Sequence, residues 1–481
     1  MGDTMRPVPF RELIERIFGE YRSGGSIFGI PEPLFFRKRG TKKIVFARES
    51  CATPAGPAAG PHTQLAQNLI TAYLAGGRFF ELKTVQKLDQ LELGKPCIEA
   101  GDEAYNTEWS TELTVKKAYH EYVKAWVIMH VLEELFAFSA PAARASGTAG
   151  LDDAASGVRE LPFAFNMSVG YDLAGIQLPK IDGFIDDLTD ASENKFFRQC
   201  MDELVGLLAV GACSPGGLFD VSGQGAAAGC ADLAERISPR VCTSLTISTL
   251  HGCPPEEIQS IAEYIMEEKQ LDTLVKLNPT LLGHDRAREL LDTAGFGHIK
   301  VKEETFSHDL LYGDALPMLR SLQQTAEKNG VTLGIKLSNT LPSVNEKGIL
   351  PDEEMYMSGR ALYPLTINLA ADLAEDLQGA FPISCCGGLS ALNITPVLQA
   401  GIRPVTMATD LLKPGGYLRM KACADLLEGL DTWNGGGPDP AALAELAARA
   451  PAEPYVQKAW RGNDTARIPG PLPLFDCYAA P

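Results

Sequence analysis

Short apolar runs alternate with longer segments of helical period along most of the chain. Apolar residues that recur at three- and four-residue intervals predict amphipathic helices, whereas compact β-rich runs predict buried strands. Their alternation predicts an α/β fold with a parallel sheet closed into a (β/α)8 TIM barrel. The helical periods cover residues 64–75, 115–136, 255–269, 285–293, 315–329, 365–377 and 417–428.

The short apolar runs end in small, polar or charged residues, which is typical of barrel strands whose carboxyl ends hold a ligand. Nine runs qualify as strands where a barrel needs eight. Residues 244–248, 273–277 and 298–302 compete for the fourth and fifth places, and the pattern alone does not identify the extra run. The candidate strands end at Ala58, Thr84, Val169, Ser248, Leu277, Lys302, Leu337, Gly387 and Thr409.

The barrel is predicted to span residues 51–433, between two flanking segments. Residues 1–50 have apolar positions at helical spacing followed by turn-rich sequence, and we expect them to form an N-terminal cap. Residues 434–481 open with a glycine-rich linker and become rich in proline, so the folded barrel should end before them. Two insertions poor in large apolar residues, 139–158 and 213–230, are predicted to be loops.

The composition of the chain argues against some classes of binding partner. The chain has 481 residues, of which 45% are hydrophobic, and this is enough for one large barrel or for two to three ordinary domains. A net charge of −18 argues against nucleic acid and anionic membranes as partners, because both are polyanions that select basic surfaces. The start lacks the apolar core of a secretion signal, and no run reaches the roughly 18 apolar residues of a membrane span. We therefore expect a cytoplasmic protein without membrane insertion.

The cysteine pattern predicts reduced thiols and no metal site. Eleven cysteines are scattered without paired spacing, which suits free thiols better than a disulfide framework. No group of histidines and cysteines has metal-ligand spacing, and the adjacent Cys385 and Cys386 would point to opposite faces of a strand.

Two family resemblances rest on specific motifs. The chain resembles the flavin domain of dihydroorotate and dihydropyrimidine dehydrogenases in residues 54–60, Lys83-Thr84, residues 358–362, Gly387-Gly388 and residues 406–409. Nearly its whole length also resembles the selenate reductase subunit family, through residues 1–3, 26–31, 356–362 and 409–416.

These resemblances imply an activity. They imply a flavin-dependent oxidoreductase that moves a hydride between FMN and an unsaturated carbon of a purine- or pyrimidine-like cyclic amide. The selenate reductase family carries this barrel ahead of iron-sulfur and pyridine-nucleotide flavoprotein modules. Electrons would then arrive from NADPH through FAD and 4Fe-4S clusters outside this sequence, and residues 473–481 resemble the entry into the iron-sulfur module.

The resemblance also assigns flavin-binding residues. A reduced flavin gains negative charge that a lysine can stabilise, and Lys83 matches the lysine on the second strand of the resembled dehydrogenases. Lys276 best matches their fifth-strand lysine, with Lys302 as the competitor; a plainer reading pairs Lys83 with Glu81. Backbone donors for the phosphate should come from the loops after strands seven and eight. The full set is Ala58, Ala59, Gly60, Lys83, Thr84, Lys276, Ser358, Gly359, Gly387, Gly388, Ala408 and Thr409.

The proton donor is where the chain departs from the resembled dehydrogenases, which place a cysteine or serine after an Asn-Leu-Ser motif. Thr249 occupies that position here, and a threonine hydroxyl is a poorer proton donor than a thiol. Cys253 or His251 could replace it. Cys253 also suits a structural place at the start of a helix.

Asparagines are expected to recognise the substrate, because their side chains match both the donor and the acceptor edges of a cyclic imide. Trp109 could stack on a flat ring or lie in the core under a loop. The candidate substrate residues are Asn106, Asn166, Asn278, Asn339 and Thr340.

Two other functions fit the same barrel. In a flavin-free lyase or aldolase, Lys83 would form a Schiff base with a carbonyl substrate. Alternatively, the barrel has lost its flavin and serves as a scaffold of a reductase complex, an option that the threonine at position 249 leaves open.

Overall fold

The computed structural model describes residues 5–92, 94–107, 112–139, 158–221, 232–248, 251–431, 433 and 436–458. Within them, eight parallel strands form one sheet in the order β1-β8-β7-β6-β5-β4-β3-β2. This confirms the predicted TIM barrel. The strands are β1 Ala55–Pro57, β2 Phe79–Glu81, β3 Ala164–Gly170, β4 Cys242–Ser248, β5 Asp272–Leu277, β6 Leu333–Leu337, β7 Ile383–Cys385 and β8 Val405–Met407.

The barrel comes together where β1 meets β2. The Arg78 N–H donates to the Ala55 carbonyl at 2.8 Å, although no ladder forms between these two strands. A Cβ on Gly56 would lie 1.6 Å from the Phe79 carbonyl oxygen. Only glycine therefore permits this approach of β1 to β2.

The extra candidate strand is 298–302. β5 pairs directly with β6, as in Thr273 with Leu333, so the sheet has no free edge there for another strand. Lys302 instead precedes the helix Glu303–His308 and is exposed. Its candidacy as the fifth-strand lysine is therefore wrong, and Lys276 holds that place on β5.

All seven predicted helices exist, with ends within three residues of the predicted ones. They are Ala66–Leu74, Val115–Phe136, Pro255–Glu267, His284–Thr293, Tyr312–Asn329, Tyr363–Asp376 and Leu418–Glu428. The sequence analysis did not predict Leu173–Ile176, Pro179–Thr189, Lys195–Ala209, Leu233–Arg236, Glu303–His308, Ile394–Gln399 and Thr409–Leu412. Single 3-10 turns cover Glu32–Leu34, Pro61–Thr63, Pro279–Leu282, Gly359–Leu362 and Ala450–Ala452.

The N-terminal segment closes the bottom of the barrel. The helix Phe10–Gly24 buries its apolar face, as its spacing predicts, and is followed by the short hairpin Ser26–Ile27 with Ile30–Pro31. A second sheet joins Ile44–Phe46, Glu49–Cys51 and Arg159–Glu160. Ile44, Phe46 and Cys51 pack there against Phe79, Ala164 and Leu274, which lie at or near the amino ends of their strands.

A four-stranded antiparallel sheet lies at the opposite end, beside the carboxyl ends of the barrel strands. Its order is Leu341–Val344, Glu354–Ser358, Ala104–Asn106 and Ile98–Glu99. We call it the mouth sheet. The sequence analysis did not predict it, because its strands come from two distant parts of the chain.

The described chain continues to pack on the barrel beyond residue 433. The helix Pro440–Arg449 lies against Tyr363–Asp376, with Leu443 fully buried. The Asn368 amide donates to the Ala447 carbonyl at 3.2 Å, and the Lys458 N–H donates to the Ala294 carbonyl at 2.9 Å. An apolar face of this later helix therefore packs against the barrel.

Several other predictions concern residues that the structure describes only in part. The two insertions lie mostly outside them, as do Thr249, Trp109 and residues 459–481. Eight described cysteines are free thiols, but Cys213 is disulfide-bonded, which corrects the expectation of free thiols at that position. Cysteine spacing in sequence does not show which loops meet in space. Among the helices of the described ranges, none combines the length and hydrophobicity needed to cross a membrane.

Candidate functional site

Two adjoining cavities open between the carboxyl ends of the barrel strands and the mouth sheet. The first cavity lies among the loops that follow β6, β7 and β8, together with the 3-10 turn Gly359–Leu362. The second cavity lies between the ends of β2, β4 and β5 and the mouth sheet. Their shared wall consists of Ala59, Lys276, Thr340, Ser358, Ala408 and Thr409. All six were predicted from the sequence to bind the flavin or the substrate.

Two lysines of the cavity wall form no ion pair with any described residue. Within the described residues, neither the Lys83 nor the Lys276 ammonium has a hydrogen bond or an ion pair, although both side chains are partly buried. Burial lowers the pKa of Lys83 to about 8; the nearby Glu112 carboxylate opposes this shift, and the charge of Lys276 adds to it. Unpaired buried cations are costly, so this wall favours an anionic ligand.

Glu81 does not pair with Lys83, which corrects the plainer alternative. Its carboxylate forms an ion pair with Lys336 on β6 inside the barrel. Lys336 also donates to the hydroxyls of Ser384 at 3.0 Å and Thr406 at 2.7 Å. Burial opposes the charge on Lys336, but Glu81 outweighs burial and the pKa of Lys336 is raised. Glu81 further accepts the Ala59 N–H at 3.3 Å, which ties the loop after β1 to this network.

The sequence analysis missed Lys336. The available signal was a single lysine at an interior position of an otherwise apolar run, Leu333-Gly-Ile-Lys-Leu. Such a residue needs a buried carboxylate, and Glu81 is far away in sequence.

The first cavity has a cationic, glycine-lined wall. Gly359 and Gly388 both have positive φ, of 75° and 70°. The hydroxyls of Ser358 and Thr409 lie 2.9 Å apart and join the two loops. The basic residues Arg360, Lys413 and Arg419 also line this cavity; Arg360 forms an ion pair with Asp102, and Arg419 with Asp410. Backbone donors, hydroxyls and basic groups are the groups that bind a phosphate.

Gly387 does not line either cavity. A Cβ there would lie 1.8 Å from the Thr366 hydroxyl, so the glycine lets the end of β7 approach the helix Tyr363–Asp376. Gly388 lines the first cavity, but its own Cβ would meet the Gly359 carbonyl oxygen at 2.6 Å. Substitution at either glycine thus strikes protein atoms before it reaches a ligand.

Three residues were predicted to be catalytic, and two of them, His251 and Cys253, are described by the structure. His251 lines a cavity. It follows β4 and lines the second cavity, and its Nδ1 lies 3.0 Å from Asp309 Oδ2. Asp309 also accepts hydrogen bonds from the Thr280 hydroxyl at 2.6 Å, the Asn278 amide at 2.8 Å and the Gly252 N–H at 3.1 Å. Burial alone would raise the pKa of Asp309, but His251 and the other donors lower it to about 2.

The other two catalytic candidates are not placed at a cavity. Cys253 is partly buried, packs beside the hydrophobic core and lines neither cavity. Thr249 lies outside the described residues. Asp309 and Thr280 were missed, because they lie on segments separate from His251 and share no motif with it.

The predicted substrate residues divide into two groups. Asn106, Asn339 and Thr340 line the second cavity. Asn166 does not, because its amide donates to Ser244 at 2.8 Å and accepts from Thr246 at 2.6 Å inside the barrel. Asn278 belongs to the cluster around Asp309.

The remaining flavin candidates lie along the cavity walls. Ala58 lines the first cavity, whereas Gly60 and Thr84 line the second. The Thr84 hydroxyl is 2.8 Å from that of Ser168. Eleven of the twelve proposed flavin residues therefore lie on these two cavities, with Gly387 as the exception.

Comparisons with known proteins agree with this architecture. Residues 28–458 match the family described as "Oxidoreductase YgfK, N-terminal TIM-barrel domain". Two proteins named "Putative oxidoreductase YgfK", from Escherichia coli strain K12 and from Escherichia coli O157:H7, are each 51% identical over 481 residues. The match covers 100% of this chain but 44% of each relative.

A solved structure of DHODH in complex with ferulenol from Eimeria tenella is also similar. It has a TM-score of 0.43 and 14% sequence identity, covering 87% of this chain and 90% of that chain. The family match extends over most of the chain and includes the loops that form both cavities. The chain therefore belongs to the YgfK family of oxidoreductases, of which it contains the N-terminal TIM-barrel domain.

Proposed function

We propose that this barrel binds FMN and transfers a hydride between it and an unsaturated carbon of a purine- or pyrimidine-like cyclic amide. The observation that carries the proposal is the pair of cavity lysines, Lys83 and Lys276, which have no counter-ion among the described residues. Reduced flavin is anionic around N1 and the C2 oxygen, and it needs a cation or an N–H donor there.

The donor set of the cavities fits FMN. Lys83 and Lys276 would face the ring system, while Ser358, Gly359 and Thr409 would contact the phosphate. Ala58, Ala59, Gly60, Thr84, Gly388 and Ala408 complete the walls. When bound, FMN supplies reversible two-electron hydride chemistry.

The second cavity supports a cyclic amide as substrate. Asn106, Asn339 and Thr340 bring amide and hydroxyl groups that match the donors and acceptors of an imide edge. Tyr105 and Tyr356 add aromatic surface to the same wall. Such a wall would hold a flat polar ring and exclude water around it.

The rest of the electron path lies beyond this chain in the proposal. Because the chain spans 44% of the length of its curated relatives, further modules are part of those proteins. We propose that 4Fe-4S clusters, FAD and NADPH supply the electrons there, and that the whole protein works in the cytoplasm. The division into a cap, a barrel and a linker also stays a prediction.

One alternative has support of its own. The lowered pKa of Lys83, about 8, is the condition that a Schiff-base lysine requires. A flavin-free lyase or aldolase would therefore use the same residue. The scaffold alternative differs from both, because it requires neither a flavin nor a carbonyl adduct.

One purification separates these functions. FMN binding predicts a yellow protein that absorbs near ~450 nm and releases FMN on denaturation. Lys83→Met and Lys276→Met should each hold FMN poorly, whereas Lys87→Met should not. Lys87 is the matched control, because it follows the same strand but pairs with Asp172 at 2.9 Å and lines neither cavity.

Other results of the same experiment would contradict FMN binding or the roles of the two lysines. Colourless protein that borohydride traps with a carbonyl compound, in a Lys83-dependent way, would replace the flavin proposal by the lyase. Colourless protein without such a trap would favour the scaffold. Full FMN content in both lysine variants would remove these lysines from the flavin site.

A further inference from the structure

We propose that His251 gives and takes the proton at the substrate, and that Asp309 is its positioning residue. This inference rests on the proposed function, because the substrate reaction is the one named there. It assigns the proton step to the imidazole among the three candidates, Thr249, His251 and Cys253, that the sequence left open.

Asp309 must be an acceptor in this cluster. Its two oxygens receive the Thr280 hydroxyl, the Asn278 amide and the Gly252 N–H, and its side chain is 2% exposed. The low pKa of Asp309, about 2, agrees with an ionised carboxylate. An ionised carboxylate cannot donate, so the 3.0 Å contact with His251 favours the proton on Nδ1. The Asn278 amide nitrogen is the competing donor, 3.2 Å from the same Nδ1, but it is closer to Asp309, at 2.8 Å.

A proton held on Nδ1 leaves the other ring nitrogen, Nε2, to exchange protons. In neutral His251, Nε2 then carries the lone pair and is the atom that exchanges a proton. Nε2 is buried and has no hydrogen-bond partner among the described residues. The ring lies on the wall of the second cavity, with its centre 5.6 Å from that of Tyr356. A buried ring nitrogen without a partner is costly, so it favours a ligand that supplies one.

The proton balance of ring reduction is simple. Reduced FMN, when bound, would supply the hydride to one carbon of a carbon–carbon double bond conjugated to the substrate carbonyl. The proton on His251 Nε2 adds to the other carbon. The hydride carries both electrons, the imidazolium becomes neutral imidazole, and water returns its proton. Ring oxidation uses the same groups in reverse.

The first test reads the tautomer directly. The ¹⁵N signals of the two His251 ring nitrogens are identified by their absence from the spectrum of His251→Asn. Their chemical shifts should show that neutral His251 is protonated at Nδ1. In Asp309→Asn this preference should weaken or reverse, because the carboxylate acceptor is gone. Asp285→Asn is the matched control, since Asp285 contacts the surface residue His284 at 3.1 Å. A wild-type ring protonated at Nε2 would overturn the proposal without any variant.

The second test reads the proton step. His251→Asn should keep its FMN but reoxidise more slowly with a cyclic amide such as uracil or xanthine, by roughly 10² to 10⁴-fold. The assignment would be overturned if flavin-loaded His251→Asn reoxidises at the full rate. It would also be overturned if Cys253→Ala slows reoxidation by this factor while His251→Asn does not.

Failure of the proposed function is distinguishable from failure of this inference. If the wild-type protein binds no FMN, the proposed function fails, and the tautomer alone decides whether Asp309 positions His251. If the protein binds FMN but neither probe reoxidises it, the heterocycle as a substrate fails. The assignment of His251 to that reaction is then overturned as well.

Discussion

At the scale of single residues, the cavity lysines carry most of the functional argument. Lys83 was found from its place at the end of a predicted strand and from a family motif, and the structure adds that its charge is unpaired among the described residues. Asp309 could not be found in this way. Its partners Gly252 and Asn278 lie 57 and 31 positions away, and only the folded barrel brings them together.

Lys83 should make FMN binding depend on pH. Its pKa of about 8 in the flavin-free protein lies below the ordinary lysine value, so the free protein loses this charge as pH rises through 8. An anionic ligand favours the charged form, and affinity should fall by up to about tenfold per pH unit above that point. Titration of the apoprotein with FMN at pH 6 to 10, read by flavin fluorescence, measures this.

Lys83→Arg provides the comparison for that titration. Arginine stays charged throughout this range, so its affinity should change little between pH 8 and 10. Equal pH dependence in the wild type and in Lys83→Arg would show that another group is responsible.

At the scale of elements, helices were predicted well and the mouth sheet was not predicted. A helix such as Val115–Phe136 is specified by its own apolar period and by the Thr114 hydroxyl, which accepts the Lys117 N–H at 3.2 Å. The strands Ala104–Asn106 and Glu354–Ser358 pair across a long stretch of chain. Each is too short to show a period of its own, so local sequence could not predict their pairing.

Gly388→Ala should destabilise the protein and not only weaken FMN binding. Its φ of 70° disfavours a side chain, and the added Cβ would lie 2.6 Å from the Gly359 carbonyl oxygen. Gly348→Ala is the matched control, with a φ of 59° and no atom within 4 Å of its Cβ position. The control should cost about 1 kcal/mol of unfolding free energy for the backbone alone, and Gly388→Ala clearly more.

Urea unfolding of the flavin-free proteins measures both glycine variants. Equal losses at positions 348 and 388 would mean that the loop after β7 relaxes around the new methyl group. Gly388→Ala would then become a usable probe of the first cavity.

At the scale of the whole molecule, a buried ion pair joins opposite sides of the barrel. Glu81 on β2 and Lys336 on β6 meet in the interior, where Ser384 on β7 and Thr406 on β8 complete their hydrogen bonds. Lys336→Met should cost about 3–5 kcal/mol of unfolding free energy, because it leaves the Glu81 carboxylate buried without its partner.

A double variant tests whether the loss of stability comes from an unpaired buried charge. Glu81→Gln combined with Lys336→Met should recover much of the loss, since no buried charge remains unpaired. Lys328→Met, which removes a surface lysine 3.8 Å from Glu267, should change stability by less than about 0.5 kcal/mol. If the double variant is as unstable as the sum of the singles, the pair is not the source of the cost.

The helix Pro440–Arg449 decides how far the folded unit extends. Leu443 is fully buried in its contact with the barrel, and the Asp439 N–H donates to the Ala400 carbonyl at 2.9 Å. If this helix is an integral part of the barrel, Leu443→Ala should lower the unfolding free energy by about 2–5 kcal/mol in a single cooperative transition. Leu426→Ala, at a leucine that is 44% exposed, should change it by about 0.5 kcal/mol or less. A separate early transition that moves in Leu443→Ala, while the main transition stays fixed, would instead make residues 436–458 an independent attachment, as the glycine-rich sequence before them first indicated.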